Sequence, residues 1–207
     1  HEQFKNFITL IKSLFDNSNI DHIFLKGSTM QYLYPDQNLR MLGDVDVLVR
    51  EKDINKVCEL LKEKGFIFQD RADHHISFKY KKLEFELHNR IIEYNHPLHE
   101  YLKDPFVYAN KQNNNTYVLE DNFNFIYILS HYMKHLKNGS GLRSLIDVYL
   151  LLTKTNVDLD YCYSIFKKYG YEDFFKVSMT ALKRIFNYDN KYQGSKYADD
   201  LITYSLN

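Results

Sequence analysis

Two stretches decide the fold: Phe24-Leu25-Lys26-Gly27-Ser28 and, after a spacer, Leu39-Arg40-Met41-Leu42-Gly43-Asp44-Val45-Asp46-Val47-Leu48-Val49. In the second, Val45, Val47 and Val49 alternate with Asp44, Asp46 and Leu48. A strand with that pattern puts the valines on a core face and both carboxylates on the other. The first stretch reads as the end of a strand from Ile20 to Leu25 running into a short helix that opens at Lys26-Gly27-Ser28 and stops before Pro35, because proline disfavours helical geometry in the residue ahead of it. A Gly-Ser turn at a helix start aims free backbone amides outward, which suits phosphate oxygens. Two aspartates at i and i+2 grip a divalent cation jointly, and hard oxygen donors select Mg²⁺ or Mn²⁺.

A third carboxylate from another strand would complete a two-metal site, with cations roughly 3.5–4 Å apart holding the attacking and departing oxygens of an in-line displacement. Glu86 is the best candidate. In the strand from Leu83 to His88, Leu83, Phe85 and Leu87 share one face and leave Glu84, Glu86 and His88 on the other, so Glu84 is the alternative third acid. Taken singly, a D-x-D is commonly solvated charge and a Gly-Ser commonly a mere cap; their order along the chain carries the reading.

Working outward, Phe4, Phe7, Ile8, Ile11, Leu14 and Phe15 recur at helical spacing from about Glu2 to Phe15. Asp53 should cap a helix ending near Gly65, and strands are expected around Gly65 to Gln69 and His75 to Tyr80, the latter joined to Leu83–His88 through Lys81-Lys82. Lys111 to Thr116 is a loop or hairpin tip. Helices follow over 121–136, 141–152, 159–169, 171–186 and 198–204. The spacing thus predicts an α/β half followed by a helical half, with domains at 1–118 and 119–207.

Composition is consistent with this. The 207 residues are 44% hydrophobic and 16% aromatic, enough to pack a core. Lys plus Arg (27) balance Asp plus Glu (27), so a general phosphate-binding field is lacking and a nucleic-acid or anionic-membrane binder is disfavoured. No apolar run reaches the roughly 20 residues of a membrane span and no signal-peptide pattern is seen, which predicts a cytoplasmic protein. The first residue is His rather than Met, which points to a trimmed or tagged chain. Cys58 and Cys162 lie far apart without metal-ligand spacing and read as buried free thiols.

The Gly-Ser and Asp-x-Asp pattern resembles the DNA polymerase β-type nucleotidyltransferase superfamily. More narrowly, Leu25-Lys26-Gly27, Leu33-Tyr34-Pro35, Leu39-Arg40 and Gly43-Asp-Val-Asp-Val-Leu-Val49 are similar to the bacterial family NTP_transf_5, as are Phe85-Glu86-Leu87-His88, His131, His135 and the Gly141-Leu-Arg-Ser-Leu-Ile-Asp147 helix. The likeness runs from the first strand to Asp147. The spacer between Gly27 and Asp44 is longer than in minimal members of the superfamily and fits the narrower family.

The resemblance implies an α+β fold: a mixed β-sheet flanked by helices, then a helical domain on the substrate side. It implies that Gly27 and Ser28 cradle an NTP triphosphate, that Asp44 and Asp46 hold the metals (Mg²⁺ or Mn²⁺, two ions), and that Glu86, by its Glu-Leu-His context, is the third acid. The expected reaction moves a nucleoside monophosphate to an acceptor hydroxyl, deprotonated by Glu86 or by a water on the metal, and releases pyrophosphate. Loss of Asp44 or Asp46 should abolish turnover and leave the fold intact. The acceptor is expected to be a small or sugar-like molecule. Alternatives are a silent nucleotide-binding module, a toxin-antitoxin-type transferase acting on a macromolecule, or a phosphohydrolase, which would not need the Gly-Ser turn. The donor base and the oligomeric state are left open.

Other residues have a structural reading beside a functional one. Lys26 and Arg40 suit triphosphate contacts or, equally, a surface charge or an ion pair with the aspartates. His88 shares a face with Glu86 and is placed to orient it. His74-His75 read as the exposed start of a strand. His131 and His135 at i and i+4 lack the glutamate of a metalloprotease helix and are read as cleft-lining or packing groups. Arg143 and Asp147, also i and i+4, read as a helix-surface ion pair before an acceptor contact. Lys137 to Gly141 lacks the Lys-Ser/Thr of a P-loop and reads as a turn.

Overall fold

The computed structural model describes residues 2–135, 141–194 and 197–206; the turn at Lys137 to Gly141 falls largely outside them. The chain forms two compact units, His1–Glu120 and Asp121–Asn207. Among the described residues no helix is long and apolar enough to cross a membrane.

The first unit is built on a mixed seven-stranded sheet. Its strands are β1 (His22–Phe24), β2 (Asp44–Val49), β3 (Ile67–Arg71), β4 (His75–Tyr80), β5 (Leu83–His88), β6 (Ala109–Asn113) and β7 (Thr116–Leu119), in the spatial order β3-β4-β5-β2-β1-β7-β6. β2 lies inside the sheet, parallel to β5 and antiparallel to β1. The parallel register sets Asp44 beside Glu84, Val45 beside Phe85, Asp46 beside Glu86, Val47 beside Leu87 and Leu48 beside His88. Side chains alternate faces along a strand, so this one register sorts both strands into an apolar face and a polar face.

The apolar face is closed by helix α1 (Glu2–Asn17) and helix α3 (Ile54–Glu63). Phe7, Ile11 and Phe15 of α1 are buried with Val45, Val47, Val49, Phe85, Leu87, Val57 and Leu61, while Phe4, Ile8 and Leu14 pack at the margin. The Phe85 ring meets Phe7, Phe15, Phe66 and Phe78 at centroid distances of 5.8–6.5 Å, mostly edge to face.

Several boundaries move for local reasons. β1 is shorter than the alternation suggests because the Ile20 amide bonds back to Phe15 O at 2.9 Å, closing α1. β3 starts two residues into the expected segment: Gly65 adopts φ +84°, the left-handed cap that ends α3 and that glycine accepts without Cβ strain. Asp53 occupies the cap position of α3 but its carboxylate makes no cap bond, since a 3₁₀ turn over Glu51–Asp53 leads into the helix. The Lys111–Thr116 stretch is part strand: β6 runs through Asn113 and the reversal sits on Asn114 and Asn115. Helix α2 (Gly27–Met30) is a single turn continued by a 3₁₀ turn over Gln31–Leu33, and a short α4 (His99–Leu102) went unforeseen.

The second unit is helical: α5 (Asp121–His135), α6 (Gly141–Lys154), α7 (Leu159–Lys168), α8 (Glu172–Phe186) and α9 (Ala198–Leu206). Asp158 caps α7, accepting the Asp160 and Tyr161 amides at 3.0 Å. Phe125, Phe166 and Phe175 pack edge-on and tilted in its core. Cys58 is partly buried and Cys162 fully so; burial pushes the Cys162 thiol up to about 12, leaving it unreactive.

Phe85→Ala should cost about 3–5 kcal/mol of unfolding free energy, because it empties a site four rings converge on. Urea denaturation followed by far-UV circular dichroism measures this, and a loss below about 1 kcal/mol would contradict the packing described.

Candidate active site

The polar face of β2 and β5 gathers charge that alternation alone makes unavoidable. Asp46 is 3% exposed. Its Oδ1 accepts from Lys26 Nζ at 2.7 Å and lies 2.9 Å from His88 Nε2. The same His88 nitrogen is 3.2 Å from Glu86 Oε2, and His88 Nδ1 is 3.3 Å from the Arg90 carbonyl oxygen. Both ring nitrogens thus face acceptors, which suits the imidazolium form. Burial works against that charge on His88, but the bonds to Asp46 and Glu86 outweigh it and raise the pKa.

The two aspartates are driven apart in acidity. Burial would raise Asp46 as well, yet the Lys26 charge and the His88 bond hold its carboxyl well below the usual range. Asp44 has burial against it, then the charges of Asp46 and Glu86, and is pushed up to about 6, with Lys26 only partly compensating. Asp46 is therefore the fixed anion and Asp44 the crowded one. Carboxylates that repel one another fit a divalent cation, which relieves the repulsion directly. Asp46, Glu86 and His88 each offer a ligand atom within 4.8 Å of the others.

The two candidate third acids separate by their partners. Glu84 sits in register with Asp44, but its side chain is 47% exposed and pairs with Lys79 at 3.2 Å. Glu86 is 24% exposed and held by His88 at 3.2 Å and His75 Nε2 at 3.5 Å.

At the Gly-Ser turn the structure departs from an open amide cradle. The Ser28, Thr29 and Met30 amides are spent on the carbonyls of Leu25 and Lys26. Gly27 is buried beneath its neighbours: a Cβ there would come 2.8 Å from Leu42 Cδ2 and 3.5 Å from both terminal nitrogens of Arg40. A side chain there would have to displace the tip of Leu42 and would lie in contact with the guanidinium. The Ser28 hydroxyl is buried without a hydrogen-bond partner among the described residues, the state of a group that a ligand completes. Lys26 itself takes φ 46°, ψ −123°, backbone that a side-chain-bearing residue adopts only under constraint. Neither cation is a loose surface charge: Lys26 is in an ion pair with Asp46, and Arg40 is buried and donates to the Met41 carbonyl at 3.1 Å.

The first unit thus assembles Lys26, Gly27, Ser28, Arg40, Asp44, Asp46, Glu86 and His88. The remaining candidates belong to the second unit. His131 and His135 stand on α5 with their Nε2 atoms 3.2 Å apart. On α6, Asp147 is buried and Arg143 exposed. His74 and His75 differ from expectation. They are largely covered, at 13% and 20% side-chain exposure, and lean on His88 with ring centroids 5.7 and 5.2 Å away. The available signal was the strand pairing itself, which sets His75 opposite His88.

A mixed sheet carrying a D-x-D strand beside a parallel acid-bearing strand, with a glycine turn at its edge, defines a nucleotidyltransferase fold. Solved structures agree. The antibiotic-resistance factor ANT(2'')-Ia in solution superposes with a TM-score of 0.60 at 9% identity, over 88% of this chain and 96% of that one. ANT(2")-Ia in complex with adenylyl-2"-tobramycin gives 0.60 at 8% identity, over 80% and 95%. An antigenic nucleotidyltransferase-like protein from Paracoccidioides brasiliensis gives 0.51 at 19% identity, over 74% and 77%. No curated protein matches the chain. The chain belongs to NTP_transf_5, described as an uncharacterised nucleotidyltransferase, whose profile matches residues 2–187.

The electrostatics predict a stability gain on disarming the site. Asp44 ionises less readily folded than unfolded, so the metal-free protein loses stability as pH rises from about 4 to about 6. Asp44→Asn should therefore raise stability by about 1–3 kcal/mol at pH 7.5 and change little at pH 4. Thermal melts in a chelator check this. An equal or lower melting temperature at pH 7.5 would contradict the crowding.

Proposed function

We propose that this nucleotidyltransferase moves a nucleoside monophosphate from an NTP to a hydroxyl of a small or sugar-like acceptor and releases pyrophosphate, with Mg²⁺ as cofactor. The observation that carries it is the parallel pairing of Asp46 with Glu86, with Asp44 on the same face and pushed up to about 6 by burial and by the charges of Asp46 and Glu86. ANT(2")-Ia shares the fold, and its adenylyl-2"-tobramycin complex carries a nucleotidyl group on a small molecule; the acceptor class is taken from that case.

Divalent cations at Asp44, Asp46 and Glu86 would neutralise charge growing on the α-phosphate and on the leaving pyrophosphate. The chain's own groups do the rest. Arg40, lying over Gly27, and the Ser28 hydroxyl bind triphosphate oxygens at the glycine turn, and Lys26 adds a positive charge beside Asp46. His88 orients Asp46 and Glu86 by bonding both. Glu86 Oε1, turned away from His88, accepts the proton of the attacking hydroxyl. The helical unit, with His131, His135, Arg143 and Asp147, is assigned to the acceptor.

The two aspartates differ as test positions, correcting the expectation that either can be removed without structural cost. Replacing Asp46 leaves Lys26 and His88 without their shared anion in a buried setting, so Asp46→Asn should lose several kcal/mol of stability together with activity. Asp44→Asn is the cleaner probe. Pyrophosphate release with Mg²⁺, a panel of NTPs and candidate hydroxyl acceptors should occur in the wild type and fall at least about 1,000-fold in Asp44→Asn with the fold intact. Turnover at the wild-type rate in that variant would remove the assignment.

A further inference from the structure

Three imidazoles meet beside the acids, and the oxygen-donor chemistry above uses only one of them, His88. His75 opens β4 directly across from His88, so both project from the polar face. His74 precedes the strand, outside its alternation, and the Asn89 amide bonds its carbonyl at 3.3 Å, tying the turn to the end of β5. One ligand atom from each of His74, His75 and His88 lies within 4.8 Å of the others. The His74 and His75 rings are 4.9 Å apart by centroid, nearly perpendicular.

We propose that His74, His75 and His88 hold a transition-metal ion of the borderline class, Zn²⁺ or Co²⁺ rather than Mg²⁺, at the edge of the carboxylate centre. Imidazole nitrogen is a poor donor for Mg²⁺ and a good one for these ions. Tetrahedral coordination at 2.0–2.1 Å places ligand nitrogens about 3.3 Å apart, so the trio needs only side-chain adjustment to close.

The surroundings are those of a ligating set. Glu93 Oε1 lies 3.9 Å from His74 Nδ1, beyond hydrogen-bond distance, and adds negative charge beside the trio. With Nδ1 turned to the Arg90 carbonyl, His88 meets the ion through Nε2, in exchange for its bonds to Asp46 and Glu86. Solvent completes the tetrahedron, and Glu86 Oε1, 3.5 Å from His75 Nε2, keeps a negative charge beside it. Of the cations around these groups, the Lys26 ammonium is paired with Asp46 and the Arg90 guanidinium with Asp73. This inference does not require the transferase reading, because its readout is binding.

The test is Co²⁺ titration of the metal-stripped full chain at neutral pH, followed by visible d–d absorption and displaced by Zn²⁺. The wild type should develop the bands of a four- or five-coordinate nitrogen-bearing site. His74→Ala and His75→Ala should each weaken binding at least about tenfold, since even outer-shell partners of metal ligands are worth about 10–100-fold. Asp44→Asn should bind within a few-fold of the wild type. Paramagnetically shifted ring protons from three histidines in the wild-type Co²⁺ protein give the same answer without any variant. Absence of bands, undiminished binding in both histidine variants, or shifted protons from fewer than three rings would overturn the site.

Discussion

The parallel register between β2 and β5 is the constraint on which the rest depends. It aligns Val45 with Phe85 and Val47 with Leu87 on one face, and Asp46 with Glu86 on the other. A slip of one residue would drive carboxylates into the aromatic core and expose the valines, so the hydrophobic effect that closes α1 onto the sheet also sets the geometry of the acids. Here the driving force for folding and the placement of chemistry are the same event seen from two sides of one sheet.

The polar face is accordingly costly. Asp44 is held partly covered beside two like charges, the Ser28 hydroxyl is buried without a hydrogen-bond partner among the described residues, and Lys26 occupies unusual backbone. Such features persist only where packing elsewhere over-determines them, and the buried aromatic cluster of Phe7, Phe66, Tyr80 and Phe85 provides that surplus. The opposed shifts of Asp44 and Asp46 divide the labour. Asp46 is kept ionised by Lys26 and His88 and organises the site, while Asp44 is left under-compensated, the condition a cation would relieve.

Much of this was legible beforehand because it followed from alternation. The period-two patterns of Asp44–Val49 and Leu83–His88 assigned faces before any coordinates, and the apolar spacing of Phe7, Ile11 and Phe15 marked the covering helix. What escaped depended on pairing between distant segments or on local backbone bonds. The covering of Gly27 by Arg40 and Leu42 is a contact across the long spacer, invisible to spacing rules. His74 and His75 looked like the exposed start of a strand until β4 was set against His88. Arg143 and Asp147 have pair spacing, yet one faces solvent and the other the interior. The turn amides after Gly27 bond internally because a single helical turn consumes them.

The central claim is that Asp44, Asp46 and Glu86 face the glycine turn as one cation-binding centre. Diffraction from crystals grown with Mn²⁺ and a non-hydrolysable NTP tests it most directly. The account predicts anomalous density between those three carboxylates, with the triphosphate under Arg40 and against Gly27 and Ser28. A triphosphate bound elsewhere, or manganese away from Asp44 and Asp46, would contradict it.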